Sequence, residues 1–155
     1  MTRFTTLRQF LPISDTLATA GQPTEAEFAA IAQSGYKVVI NLALPTSDHA
    51  LPDEQATVES FGMTYVSIPV VWENPTLADL DQFFQAMDAH QEHKIFVHCA
   101  LNMRVSVFVY LYRILRLEID PAMAQRELFA VWQPNDRWQR FIDEAMASHS
   151  NPSHP

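Results

Sequence analysis

Apolar residues along this chain recur in two rhythms, one helical and one strand-like, and the two alternate. In the segment GQPTEAEFAAIAQSGYKVVINLAL, Thr24 stands as N-cap with Glu27 three residues later, the reciprocal capping pattern. The helix it predicts closes at Gly35, a natural C′ residue, and residues 37–42 follow as a buried strand. The segment LPDEQATVESFGMTYVSIPV repeats the theme, with Pro52 suited to a first helical turn, Gly62 closing the helix and a strand over residues 64–68. In NPTLADLDQFFQAMDAHQEH, Thr76 caps a helix with Asp79 at its third position. Leu80, Phe83, Phe84 and Met87 fall on one face, so this helix covers a sheet.

A strand over residues 94–97, a turn over residues 99–103 and a helix over residues 104–115 come next. That helix is apolar around most of its surface, which places it in the middle of the fold. Asp120 and Pro121 open a further helix, residues 137–147 form the last one, and residues 148–155 read as a disordered tail. Strands alternating with helices predict one α/β domain over residues 1–147, with a mainly parallel central sheet and helices on both faces. Ligands bind such sheets at the carboxyl ends of their strands.

Composition narrows the function. A chain of 155 residues with 48% hydrophobic content can bury one core, and one domain follows. Ten basic against eighteen acidic residues give a net charge of −8, with no basic run longer than a pair, so neither nucleic acid nor a membrane surface is an expected partner. The single cysteine excludes an intramolecular disulfide. No leader-type apolar region opens the chain, the run from Val107 to Tyr112 is far too short to span a bilayer, and a cytoplasmic location is expected.

That cysteine, Cys99, falls where a strand ends and a helix begins, in KIFVHCALNMRVS. A thiol there feels the positive end of the helix dipole and the unpaired N–H groups of the first turn, which favour the thiolate and also cradle an anion. Arg104 adds a guanidinium suited to an oxyanion. His98 is read as a support that holds the cysteine loop by a hydrogen bond. His90, His93 and His98 lack the spacing of a metal site, and neither metal nor cofactor is called for.

The motif VHCALNMRVS resembles the active-site loop of the cysteine-dependent tyrosine and dual-specificity phosphatases. Together with ATAGQPTEAEF, SGYKVVINL and SIPVVWENPT, it is similar to a bacterial family of small phosphatase-like proteins related to the domain fused to β-lactamase-fold enzymes. The likeness runs over about residues 12–115. It implies a cysteine-dependent phosphatase fold and a phosphorylated small molecule or protein as substrate, with Cys99 as nucleophile. The phosphate-binding loop would comprise Ala100, Leu101, Asn102, Met103, Arg104, Val105 and Ser106, flanked by His98 and Trp72, with Ser106 stabilising the thiolate. The resemblance also asks for an acid on the loop IPVVWENPT, where Trp72 occupies the expected place and Glu73 follows. Asp48 and Asp53 are weaker candidates.

The spacing departs from the phosphatase pattern. Arg104 is the fifth residue after Cys99, and Val105 holds the sixth place, where that pattern puts its arginine. One residue turns a helical side chain by about 100°. Asn102 occupies the place of a small residue and tolerates the left-handed conformation. Cysteine, four residues, arginine is also the spacing of rhodanese-like sulfurtransferases, in which the cysteine carries a persulfide. The alternatives to phosphatase are therefore sulfur transfer on Cys99 and an anion- or protein-binding module without turnover.

Overall fold

A computed structural model describes residues 7–47 and 49–149. The chain runs β1 (Leu11–Ser14), β2 (Leu17–Ala20), α1 (Glu25–Gln33), β3 (Tyr36–Asn41), α2 (Glu54–Ser60), β4 (Thr64–Ser67), α3 (Leu77–Ala89), β5 (Lys94–His98), α4 (Met103–Leu115), α5 (Pro121–Val131) and α6 (Asp136–His149). The five strands form one sheet in the order β1-β2-β5-β3-β4. β2, β5, β3 and β4 are parallel, and only β1 is antiparallel, so the expected α/β architecture is the observed one.

The capping residues work as the sequence indicates. Thr24 accepts from the Glu27 N–H and Thr76 from the Asp79 N–H, each in a complete capping box, and Asp120 caps α5 ahead of Pro121. Several boundaries differ by a residue or more. Pro52 lies outside α2, which begins at Glu54 after Asp53 adopts a left-handed backbone at φ 54°. α4 begins one residue early, at Met103. α6 continues through Ser148 and His149, which the expected tail included, and residues 150–155 lie outside the described residues.

The hairpin β1–β2 was not expected from the sequence. Each strand is four residues long, too short to display a period; β2 is LATA, buried at every position, and β1 carries a proline at the sheet edge, where its missing N–H costs nothing.

Alternation along the strands sorts side chains to two cores. Val38, Ile40, Ile95 and Val97 pack with Leu80, Phe83, Phe108 and Trp138 from α3, α4 and α6. Val39 and Phe96 face the other way, onto Phe28, Ile31 and Val58 of α1 and α2. The same period decides the ends of the strands. Asn41, two residues after Val39, and His98, two after Phe96, belong to the α1–α2 side and are direct register partners. Cys99, the next residue, returns to the opposite core.

Candidate active site

β5 is flanked by β2 and β3, and its chain leaves the sheet at Cys99, which is buried. The loop beyond it is pinned from the β2 side. The Gln22 N–H donates to the Ala100 carbonyl at 3.0 Å, and Gly21 forms a bridge with Leu101. Gly21 is required by proximity: a Cβ there would stand 2.5 Å from the Ala100 oxygen.

Asn102 closes the loop at φ 67°, the left-handed conformation its side chain tolerates. Its Nδ2 donates to the Gln9 carbonyl at 2.9 Å and to Thr19 Oγ1 at 3.0 Å, so it provides no cap for α4. The first N–H groups of α4 are thereby left to whatever sits in front of them.

A cavity of about 190 Å³ opens at this point, lined by Trp72, Cys99, Ala100, Leu101, Met103 and Arg104. Arg104 is almost wholly buried, and its Nη1 donates to the Val70 carbonyl at 2.9 Å, which ties it to the loop after β4. From the fifth position it thus reaches the cavity that holds the thiol. Trp72 stacks obliquely against Trp132 and Trp138 at 5.3 and 5.5 Å, so all three tryptophans of the chain form one cluster behind the cavity wall.

Several expected site residues stand elsewhere. Val105 is fully buried in the helical core and cannot present a side chain to a ligand. Ser106 does not support the thiol: its hydroxyl donates to the Met103 carbonyl at 2.7 Å, as serines in a first helical turn readily do, and accepts from Trp132 Nε1 at 3.0 Å. Asn102 is turned away from the cavity, and His98 lies behind the loop. Glu73 is exposed and does not line the cavity; its carbonyl accepts from Arg137 Nε at 3.2 Å. Asp53 stands at the N-cap position of α2 without a side-chain cap bond and lines a separate cavity, and Asp48 lies outside the described residues.

Behind the loop is a polar network that the sequence did not announce. His98 Nε2 lies 2.6 Å from Glu54 Oε2, and its Nδ1 lies 3.2 Å from the Cys99 carbonyl. Glu54 also accepts from Gln22 Nε2 at 2.8 Å and from Asn41 Nδ2 at 3.2 Å. Burial opposes the charge on Glu54, but the hydrogen bond and charge of His98, with the bonds from Gln22 and Tyr65, hold its carboxyl below the usual range. Tyr65, which accepts from Asn41 at 3.0 Å, is pushed up to about 12, first by burial and then by the charge of Glu54. The sequence signal for Glu54 was weak: a glutamate in the first turn of a helix reads as a solvated charge favoured by the dipole.

A parallel sheet that delivers a thiol to the uncapped start of a buried helix, with an arginine in the same cavity, is the arrangement of the tyrosine and dual-specificity phosphatase fold. Within that class, the chain belongs to the family described as "DSP-PTPase phosphatase fused to NAD+ Kinase", whose profile matches residues 13–145. A DUF442 protein from Shewanella putrefaciens CN-32 is 35% identical, with a TM-score of 0.84 over 94% of this chain and 96% of that one. The Beta-lactamase hydrolase-like protein of Xylella fastidiosa strain Temecula1 is 32% identical over 126 residues, 79% of this chain; the chain spans 28% of that relative's length. TpbA of P. aeruginosa, solved in complex with pTyr, shares the fold at a TM-score of 0.69 and 18% identity, over 92% of this chain and 91% of that one. Among the described residues no helix is long and apolar enough to cross a membrane.

Proposed function

We propose that this domain hydrolyses phosphate monoesters through Cys99. The observation that carries the reading is the convergence of the Cys99 thiol and the Arg104 guanidinium on one cavity at the start of α4. Sγ, as thiolate, attacks phosphorus; the bond from phosphorus to the ester oxygen breaks, and the alcohol leaves with that electron pair and takes a proton. Water then attacks the phosphocysteine and releases inorganic phosphate with the thiolate restored. Arg104 and the loop N–H groups hold the equatorial oxygens, where charge develops.

The cavity shapes the substrate as well. Its walls are Trp72, Ala100, Leu101 and Met103, and among the described residues Arg104 is the only cationic side chain lining it. Among the described residues no carboxyl group lines it; with protonation of the leaving oxygen left to water, turnover favours esters whose leaving group needs little help, aryl phosphates above alkyl ones. The test is hydrolysis of an aryl phosphate by the purified protein. Cys99→Ser should abolish it, and Arg104→Met should reduce it by about 100-fold or more. Activity that survives Cys99→Ser sinks the reading, and phosphate binding without any turnover identifies a binding module.

The position of Arg104, five residues after Cys99, also supports sulfur transfer. On that reading the thiolate takes a sulfane sulfur from thiosulfate, sulfite leaves, and a persulfide remains on Cys99. Thiosulfate treatment followed by mass spectrometry decides it: a gain of one sulfur atom supports this route, and an unchanged mass removes it.

A further inference from the structure

The loop that carries Cys99 has two consecutive carbonyls fixed on its buried side, and both fixings lead to one residue. The Cys99 carbonyl faces His98 Nδ1 at 3.2 Å, and His98 Nε2 meets Glu54 Oε2 at 2.6 Å. The Ala100 carbonyl accepts the Gln22 N–H at 3.0 Å, and the Gln22 side chain donates to Glu54 Oε1 at 2.8 Å. Glu54 is on α2, remote in sequence from the loop, and only 6% exposed. Each of its oxygens therefore holds one arm.

Peptide planarity turns this anchoring into an orientation. A carbonyl can only accept, so His98 must carry a proton on Nδ1 to hold Cys99, and the carboxylate, which also only accepts, takes a second from Nε2, so both ring nitrogens donate. In a trans peptide the N–H points opposite to the C=O. With the carbonyls of Cys99 and Ala100 held toward Gln22 and His98, the N–H groups of Ala100 and Leu101 are turned away from the network, toward the cavity these two residues line.

We propose that Glu54 is the positioning residue of the anion cradle: through His98 and Gln22 it fixes two loop carbonyls on the buried side and so aims the Ala100 and Leu101 amides at the bound anion. This rests on the reading of the loop as an anion site, which the phosphatase mechanism uses. Glu54 does not line the cavity that Cys99 and Arg104 share. The groups around it on every neighbouring element, His98 from β5, Gln22 after β2, Asn41 from β3 and Tyr65 from β4, are those already bonded to it.

The experiment titrates inorganic phosphate into the full chain and reads Trp72-cluster fluorescence together with the amide signals of Ala100 and Leu101. Hydrogen bonds to charged groups are among the stronger ones, so losing the aim of one amide should weaken phosphate binding by about tenfold or more. Glu54→Leu should show that loss and shrink the phosphate-induced shifts at Ala100 and Leu101. Glu54→Gln should bind within a few-fold of the natural protein, because the new amide can donate to His98 Nε2 where the carboxylate accepted from it, leaving the Nδ1 proton on the Cys99 carbonyl, and still accepts from Gln22. A purely structural role would lower the melting temperature of both variants without separating their affinities.

Equal affinity in Glu54→Leu overturns the proposal while leaving aryl phosphate turnover, measured on the same samples, to judge the phosphatase reading. A natural protein that does not bind phosphate overturns it as well. A protein that binds phosphate through these amides yet never turns over an ester supports the proposal and refutes the phosphatase. If Glu54→Leu does not fold, the ring ¹⁵N signals of His98 in the unaltered protein decide: a proton on Nδ1 supports the arrangement, and a ring protonated on Nε2 alone refutes it.

Discussion

Replacing Gly21 by alanine tests how tightly the cysteine loop is clamped. The added Cβ would lie 2.5 Å from the Ala100 oxygen, 3.2 Å from its carbon and 3.1 Å from Arg8 Cβ, whereas ordinary contact begins at 3.4 Å. Nearly an ångström must be found against the Ala100 oxygen, a backbone atom that cannot swing aside as the far end of a flexible side chain would. Overpacking of that kind costs about 1–3 kcal/mol, and weakening the bond from the Gln22 N–H to Ala100 adds about 1. The expected loss is about 2–4 kcal/mol in denaturant unfolding, a fall of roughly 10 °C in melting temperature for a domain of this size.

The functional effect should exceed what stability explains. A displacement approaching 1 Å in a reacting geometry can cost about 100-fold in rate, and the atoms displaced carry Cys99 and the cradle amides. We expect aryl phosphate turnover to fall by about 10- to 100-fold at a temperature where the variant remains folded. Gly62→Ala is the control: at φ 83°, with no atom within 4 Å of the added carbon, it should cost about 1–2 kcal/mol through backbone strain alone and leave turnover unchanged. If Gly21→Ala matches the natural protein in both stability and turnover, the loop is not held as described.

Glu54 makes stability depend on acid. Its folded-state pKa lies below the ordinary value, so its contribution is complete above the ordinary carboxylate range of about 4.3 and is lost as pH falls through the depressed value. Denaturant midpoints of Glu54→Gln should therefore lie below the natural protein's near neutrality and converge with them in acid; a constant gap refutes this. At the alkaline end, Tyr65 and Tyr112 are raised to about 12 and Tyr36 and Tyr110 are raised too, each with burial as the first cause. Phenolate absorbance of the folded protein should rise above the midpoint near 10 of the denatured chain, and the stability these groups contribute is lost only as pH climbs through their raised values. Asn102→Gly should keep the loop conformation but lose the bonds to Gln9 and Thr19, at about 1–3 kcal/mol, whereas Asn102→Ala loses the conformational tolerance as well. Stability in the order asparagine, glycine, alanine is the expected result, and alanine above glycine contradicts it.

Much of the architecture was readable because its signals are local. Thr24 with Glu27 and Thr76 with Asp79 declare their helices within four residues, and the alternation of Val38, Val39 and Ile40 declares a strand buried on both faces. The hairpin at Leu11–Ala20 escaped because four-residue strands of small or mixed residues have no period of their own and gain their state from pairing, β1 with β2 and β2 with β5. Cys99 and Arg104 were legible as chemistry because the strand–turn–helix step around them is itself local. Ser106 was misplaced because its role depended on a resemblance, while its hydroxyl is settled by the carbonyl one turn back and by Trp132, a residue whose approach no local pattern encodes.

By itself, then, the sequence determined the alternation of helices and strands, their caps, and the placing of a thiol and an arginine at one strand end. Only the tertiary structure decided that Gln22, Asn41, Glu54 and His98 meet behind that thiol, that three tryptophans gather beside it, and that Glu73 stands outside. The physical reason is range. Caps and periodicity are free-energy preferences expressed within a few residues, whereas a buried carboxylate is tolerable only where donors from several distant strands converge on it, and that convergence exists only once the sheet has closed in its order β1-β2-β5-β3-β4.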